Sequence, residues 1–129
     1  MRKVLHWIML ACLMCLPAAS PAHHSFAMFD DKNLVALAGT VKEVQWTNPH
    51  TWLQLLVIEN SQPVEYSIEG QSPNGLMRLG WKKNTIKAGD KISVVIAPLK
   101  DGRKGGALIK VTLPDGRTLA TYAEKPPAQ

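Results

Sequence analysis

Short runs of alternating apolar residues, each cut off by a Gly, Pro, Asn or Asp turn, fill the chain from Val35 to Tyr122. That punctuation is the signature of an all-β fold and leaves room for one short helix. The first strand is expected from Val35 to Trp46. Val35, Leu37, Gly39 and Val41 share one parity and Val44 and Trp46 the other, so a bulge is expected near Lys42 and Glu43, with Gly39 permitting strong coiling. "TNPH" turns the chain into a second strand, Thr51 to Ile58, apolar on both faces and therefore central. "ENSQP" is a hairpin loop before Val64, Tyr66 and Ile68, which alternate with Glu65, Ser67 and Glu69.

The period then changes. Ser72 reads as a helix N-cap with Pro73 at the first helical position, and Gly80 ends a segment of one to two turns. After "KAGD", Ile92, Val94 and Ile96 form a fourth strand. "KDGRKGG" reads as a flexible basic loop, Ile109, Val111 and Leu113 as a fifth strand, and "PDGR" as a tight turn into a sixth piece, Thr118 to Tyr122. Three strands, a short helix and two strands is the element order of a small OB-like barrel of five to six strands. A small open sandwich or a lipocalin-like half barrel would give similar patterning.

Residues 1–22 read as an export signal. Arg2 and Lys3 precede an apolar run from Val4 to Leu16, Pro17 breaks it, and "AASPA" follows. About thirteen apolar residues fall short of the roughly twenty that span a bilayer, so no transmembrane anchor is expected after processing. Ser20 and Ala22 supply the small side chains that signal peptidase requires, which places the cut between Ala22 and His23. A cut after Ser20 would put Pro21 first, which the peptidase tolerates poorly. Cys12 and Cys15 leave with the signal, so the mature chain has no disulfide framework and no cysteine-based zinc site. Losing Arg2 and Lys3 lowers the basic count from 15 to 13 against 10 acidic residues, a net charge of only +3. The expected organisation is a signal peptide over 1–22, an N-terminal arm over 23–34, the barrel over 35–122 and a disordered tail over 123–129.

The segments "HHSFAMFD", "WTNPHTW", "IEGQSPNGLMRLGW" and "IKAGDKISVVIAPLKDG" together resemble a family of small secreted bacterial proteins catalogued as a domain of unknown function. The shared features are the His-His-Ser start, the Asn-Pro-His turn and the Ser-Pro…Gly-Trp helix, followed by a Gly-Asp turn and a late Asp-Gly hairpin. The resemblance implies periplasmic or secreted residence and carries no activity with it.

Four sets of residues could carry function. With His23 at the mature N-terminus, its α-amine and imidazole form a chelate, and a second imidazole would complete a three-nitrogen brace suited to copper. His50, on the Asn48-Pro49 turn, is the better third ligand if the arm folds back, with His24 close by in sequence and Met28 a soft thioether on the arm. The bland reading makes these an exposed tail and a turn residue. Trp46 and Trp52 flank that turn, so with Asn48 and His50 they could line one rim for a small ligand; alternatively they and Trp81 are core, and Phe26 and Phe29 pin the arm across an open end. Lys82, Lys83, Lys87, Lys100, Arg103 and Lys104 read as solvated loops, and no nucleic acid is expected as partner. Asp30 with Asp31, and Glu65 with Glu69 on a strand edge facing water, are carboxylate pairs with no nucleophile beside a base, so no enzyme is expected. The sequence thus points to an exported, non-catalytic module binding a small ligand or an envelope protein. Copper handling through His23, His24 and His50 is one alternative, and a structural accessory of an envelope complex is another.

Overall fold

A strand with two apolar parities can serve two neighbours, and the first strand does. The computed structural model describes residues 26–122; the expected export signal, His23, His24 and the expected tail from residue 123 lie outside the described residues. Within them run β1 (Val35–Gln45), β2 (Trp52–Glu59), β3 (Gln62–Glu69), the helix α1 (Pro73–Arg78), β4 (Lys91–Pro98), β5 (Gly105–Thr112) and β6 (Thr118–Ala120). Residues 35–40 of β1 pair antiparallel with β4, and residues 40–45 pair antiparallel with β2. The register with β2 shifts between Val41 and Glu43, which makes Lys42 the extra residue of a bulge. The bulge turns both Val41 and Val44 toward the same core in spite of their spacing.

β2 and β3 form a hairpin, β4 pairs with β5, and β6 hangs on β5. A short parallel pairing closes the ring, with Ser67, Ile68 and Glu69 of β3 against Gly105, Gly106 and Ala107 of β5. The circuit β1-β2-β3-β5-β4 back to β1, with the helix between β3 and β4, is a closed OB-type barrel. The helix follows its signals. Ser72 Oγ accepts from the Gly75 amide at 3.2 Å, Pro73 stands in the first turn, Leu76 enters the core, and Gly80 at φ +90° comes just after the end. Leu55, Ile68 and Val111 are fully enclosed in that core, and Trp81 lies against it with Nε1 donating to the Ala120 carbonyl at 2.8 Å. No helix among the described residues is long and apolar enough to cross a membrane.

Two readings need correction. β2 is central, yet Ile58 at its end is 68% exposed, so its second face is not apolar-buried throughout. The "KDGRKGG" segment is less of a loop than expected, because Gly105 and Gly106 already belong to β5. The remainder is braced. Asp101 accepts from the Arg103 amide and Nε, and Lys104 Nζ reaches Glu59 at 2.8 Å. Tyr66 donates its hydroxyl to the same Glu59 carboxylate, and these hydrogen bonds, Lys104 first, hold Glu59 below the usual carboxylate range.

Gly39 explains the coil of β1. A Cβ there would overlap the Leu56 carbonyl oxygen and meet Leu55 Cγ at 3.0 Å. Gly39→Val therefore destabilises the fold by about 1–3 kcal/mol, the usual cost of overpacking. A melting curve unchanged from the parent would refute the close approach.

Candidate functional site

The arm is the first described segment, and its hydrogen bonds show why it lies where it does. Phe26–Met28 form a single 3₁₀ turn, and Phe29 bridges antiparallel to Leu99. The Asp30 amide donates to the Pro98 carbonyl at 2.8 Å, the Lys100 amide to the Met28 carbonyl at 3.0 Å, and Lys100 Nζ to the Ala27 carbonyl at 2.8 Å. Phe29, only 7% exposed, is the large member of a second apolar cluster with Ala97, Ala107, Leu99 and Ile109. Phe26 packs edge-on to both Phe29 and Tyr122, with ring centroids 5.4 and 6.1 Å apart. The expectation that Phe26 and Phe29 pin the arm to the barrel describes what is seen.

Two clefts flank Phe29. The first, about 290 Å³, lies among Phe26, Phe29, Pro49, His50, Glu69 and Tyr122. The second, about 310 Å³, lies among Met28, Phe29, Trp52, Glu69, Leu99 and Lys104. Phe29 and Glu69 border both. The β1–β2 loop contributes Pro49 and His50, and the β4–β5 loop contributes Leu99 and Lys104. This is the part of an OB-type barrel, between those two loops and beside β2 and β3, that receives ligands.

His50 is held in place from several directions. Its Nδ1 lies 3.1 Å from Glu69 Oε1 and 3.2 Å from the Gly70 carbonyl oxygen. Thr51 behind it is buried, and both its amide and its hydroxyl donate to the Gln71 carbonyl, at 3.1 and 2.8 Å. The Gly70 amide returns a bond to the Thr51 carbonyl, and Thr47 Oγ1 donates to the carbonyl of His50. A carbonyl oxygen only accepts, so Nδ1 carries a proton and donates it toward the Gly70 carbonyl and Glu69. Glu69 has a side chain only 13% exposed. Burial first, and the Glu69 charge second, raise the Tyr122 hydroxyl above the usual phenol range.

The rim expected from the sequence comes apart here. Trp46 and Trp52 do share a crevice with Thr51, Leu76 and Trp81, but His50 does not line it. Trp46 packs against the main core, Trp81 is buried, and Asn48 is exposed at a cis peptide bond to Pro49, lining neither cleft nor the crevice. Trp52 alone of the three predicted rim residues Trp46, Asn48 and Trp52 reaches a cleft, the second one, which His50 does not line. Met28 is on the arm as expected, yet it borders the second cleft and not the one containing His50. Glu65 faces water and pairs with Lys42, as a strand-edge carboxylate would. Glu69 does not. It is the residue the sequence reading missed, because β3 is no edge strand at that point: Glu69 sits between Trp52 on β2 and Ala107 on β5. A charged residue in register with a tryptophan was the available sign.

Among the described residues no three His, Cys, Asp or Glu side chains converge as a metal site. His23 and His24 lie outside the described residues. A model of a family of unknown function, DUF6152, matches residues 10–109. The chain belongs to that family. The DUF6152 span takes in the arm, His50 and Glu69, and it stops short of β6 and Tyr122. This agrees with the family resemblance seen in the sequence motifs. No curated protein matches the chain.

Proposed function

We propose that the protein is an exported, non-catalytic binding module, resident in the periplasm or secreted, whose ligand is received in the clefts around Phe29. The observation that carries this reading is Glu69, a carboxylate with 13% side-chain exposure set between His50 and the aromatic wall of Phe26, Phe29 and Tyr122. Withdrawing a carboxylate from water costs free energy that the barrel alone does not require. A β3 terminus with Thr or Val at that position would pair with β2 and β5 equally well. The surrounding groups are those of recognition, with one oriented imidazole, one acceptor carboxylate and flat apolar walls. Export is supported by the charged start, the apolar run and the small-residue cut site of residues 1–22.

The test is an amide NMR titration of the processed protein with a library of small cationic, anionic and sugar fragments. Binding fragments should shift Phe26, His50, Glu69 and Tyr122 together, and Glu69→Leu should abolish those shifts. Shifts confined to the Trp46 and Trp81 crevice would move the site. Absence of any hit would overturn the small-ligand reading, and co-purification with an envelope protein at constant ratio would then favour a structural accessory.

A further inference from the structure

We propose that the first cleft, the one His50 lines, takes an alkylated ammonium group, the trimethylammonium head of a small organic cation. This rests on the reading of the clefts as the ligand site and names the class of ligand.

Three observations carry it. The first is the arrangement of rings. Phe26 meets Phe29 at an interplanar angle of 61° and Tyr122 at 89°, and all three rings line the cleft. Rings set edge to face form the adjoining walls of a corner instead of covering one another. Phe26 is 42% and Tyr122 37% exposed, so part of each ring stands open. An aromatic face carries negative charge density, and several such faces together make the cage that holds a methylated ammonium. The second is charge. Among the described residues, Glu69 is the one Asp or Glu lining this cleft, whereas Lys and Arg do not line it. Arg103 and Lys104 border only the second cleft. The Glu69 side chain is 13% exposed, so its charge is screened less than that of a surface carboxylate. The third is that the polar wall is already engaged. Glu69 Oε1 and the Gly70 carbonyl face His50 Nδ1, Ser72 Oγ accepts from the Gly75 amide, and Gln71 Nε2 donates to the Thr121 carbonyl. A ligand needing many hydrogen bonds would compete with these. A quaternary ammonium has no N–H to satisfy and is held by charge and ring faces.

The probe is choline, titrated into the purified protein by amide NMR. Its comparisons are the uncharged alcohol in which a tert-butyl group replaces trimethylammonium, ethanolammonium, and acetate. Choline should saturate, shift the amides of Phe26, His50, Glu69 and Tyr122, and bind roughly 10-fold or more tightly than the uncharged isostere of the same shape. Phe26→Leu keeps apolar bulk at a half-exposed position and removes the ring face. It should weaken choline by roughly 5–30-fold and leave the isostere nearly unchanged. Phe26→Trp should restore the affinity, because indole is the best partner for a cation. Glu69→Gln keeps the shape and an acceptor toward His50, and should remove most of choline's advantage over the isostere.

A choline-to-isostere ratio unchanged in both Phe26→Leu and Glu69→Gln overturns the proposal. So does tighter binding of the isostere, of acetate or of ethanolammonium than of choline. Fragments that shift the cleft while choline does not would overturn the cation class alone and leave the binding-module reading standing. Silence of every fragment and of choline would remove both.

Discussion

Replacing Gly106 with valine is expected to cost about 3 kcal/mol, at the upper end of the overpacking range. For a barrel of this size that lowers the melting temperature by roughly 12–24 °C. A Cβ at this position would overlap the Ala97 carbonyl oxygen and come within 2.9 Å of both the Ala97 carbonyl carbon and the Pro98 Cα. Every one of those atoms is backbone of β4, so relief cannot come from a side chain swinging away. The strands must separate where Gly106 pairs with Pro98 and Ile68. Gly105 is under the same restriction against the Ser67 carbonyl. Differential scanning calorimetry checks the prediction, and a fall of less than about 4 °C, under 1 kcal/mol on the same scale, would mean that the seam relaxes at little cost.

Phe29→Ala should cost a similar amount, about 3 kcal/mol, the lower limit for a buried phenylalanine truncated to alanine. Its consequence differs in kind. The ring belongs to the small cluster with Ala97 and Ala107, apart from the main core built on Leu55, Ile68 and Val111. Its loss should free the arm while the barrel keeps its strands. Hydrogen exchange reads the difference. The Asp30 and Lys100 amides, which tie the arm to the β4–β5 loop, should lose protection, whereas those of Leu55 and Val94 should not. Unchanged protection at Asp30 and Lys100 would show that the backbone pairing of Phe29 with Leu99 suffices without the ring. The proposed binding function also requires ligand affinity to fall in this variant, because Phe26 would no longer be held beside His50.

The barrel was legible because its determinants are local. Alternation marks β3 and β4, an apolar run between turn signals marks β2, the parity change in β1 marks the bulge at Lys42, and Ser72-Pro73 marks the helix. Element order then selects the topology. The site was only half legible. His50 stands out on its turn, and the phenylalanines of the arm suggest that it is pinned. Glu69 does not stand out, because its burial is made by residues remote in sequence: His50 on the β1–β2 loop, the arm from Phe26, and Tyr122 after β6. The pair Gly105-Gly106 misleads for a related reason. Glycine is written identically whether it frees a loop or lets two backbones touch, and only the neighbours, Ser67 and Ala97, decide which. Trp46 and Trp52 mislead in the opposite sense, since closeness in sequence across a turn did not carry them to the His50 side.

The short parallel seam between β3 and β5 also has a kinetic meaning. The β1–β2–β3 meander assembles from hairpin neighbours, whereas residues 67–69 meet 105–107 only after α1 and β4 have been laid between them. Closing so long a loop for so few backbone pairs makes the seam the late step of folding and the first to part under stress. When it parts, β3 and β5 present unpaired edges, the state in which a chain is open to proteases and to edge-to-edge association. Glu69 is the last residue of that seam, opposite Ala107, and the Phe29 ring packs on Ala107 from outside. If the proposed ligand fills the cleft beside Glu69 and Phe29, it therefore presses on this joint of the barrel, and its occupancy should lengthen the lifetime of the folded state.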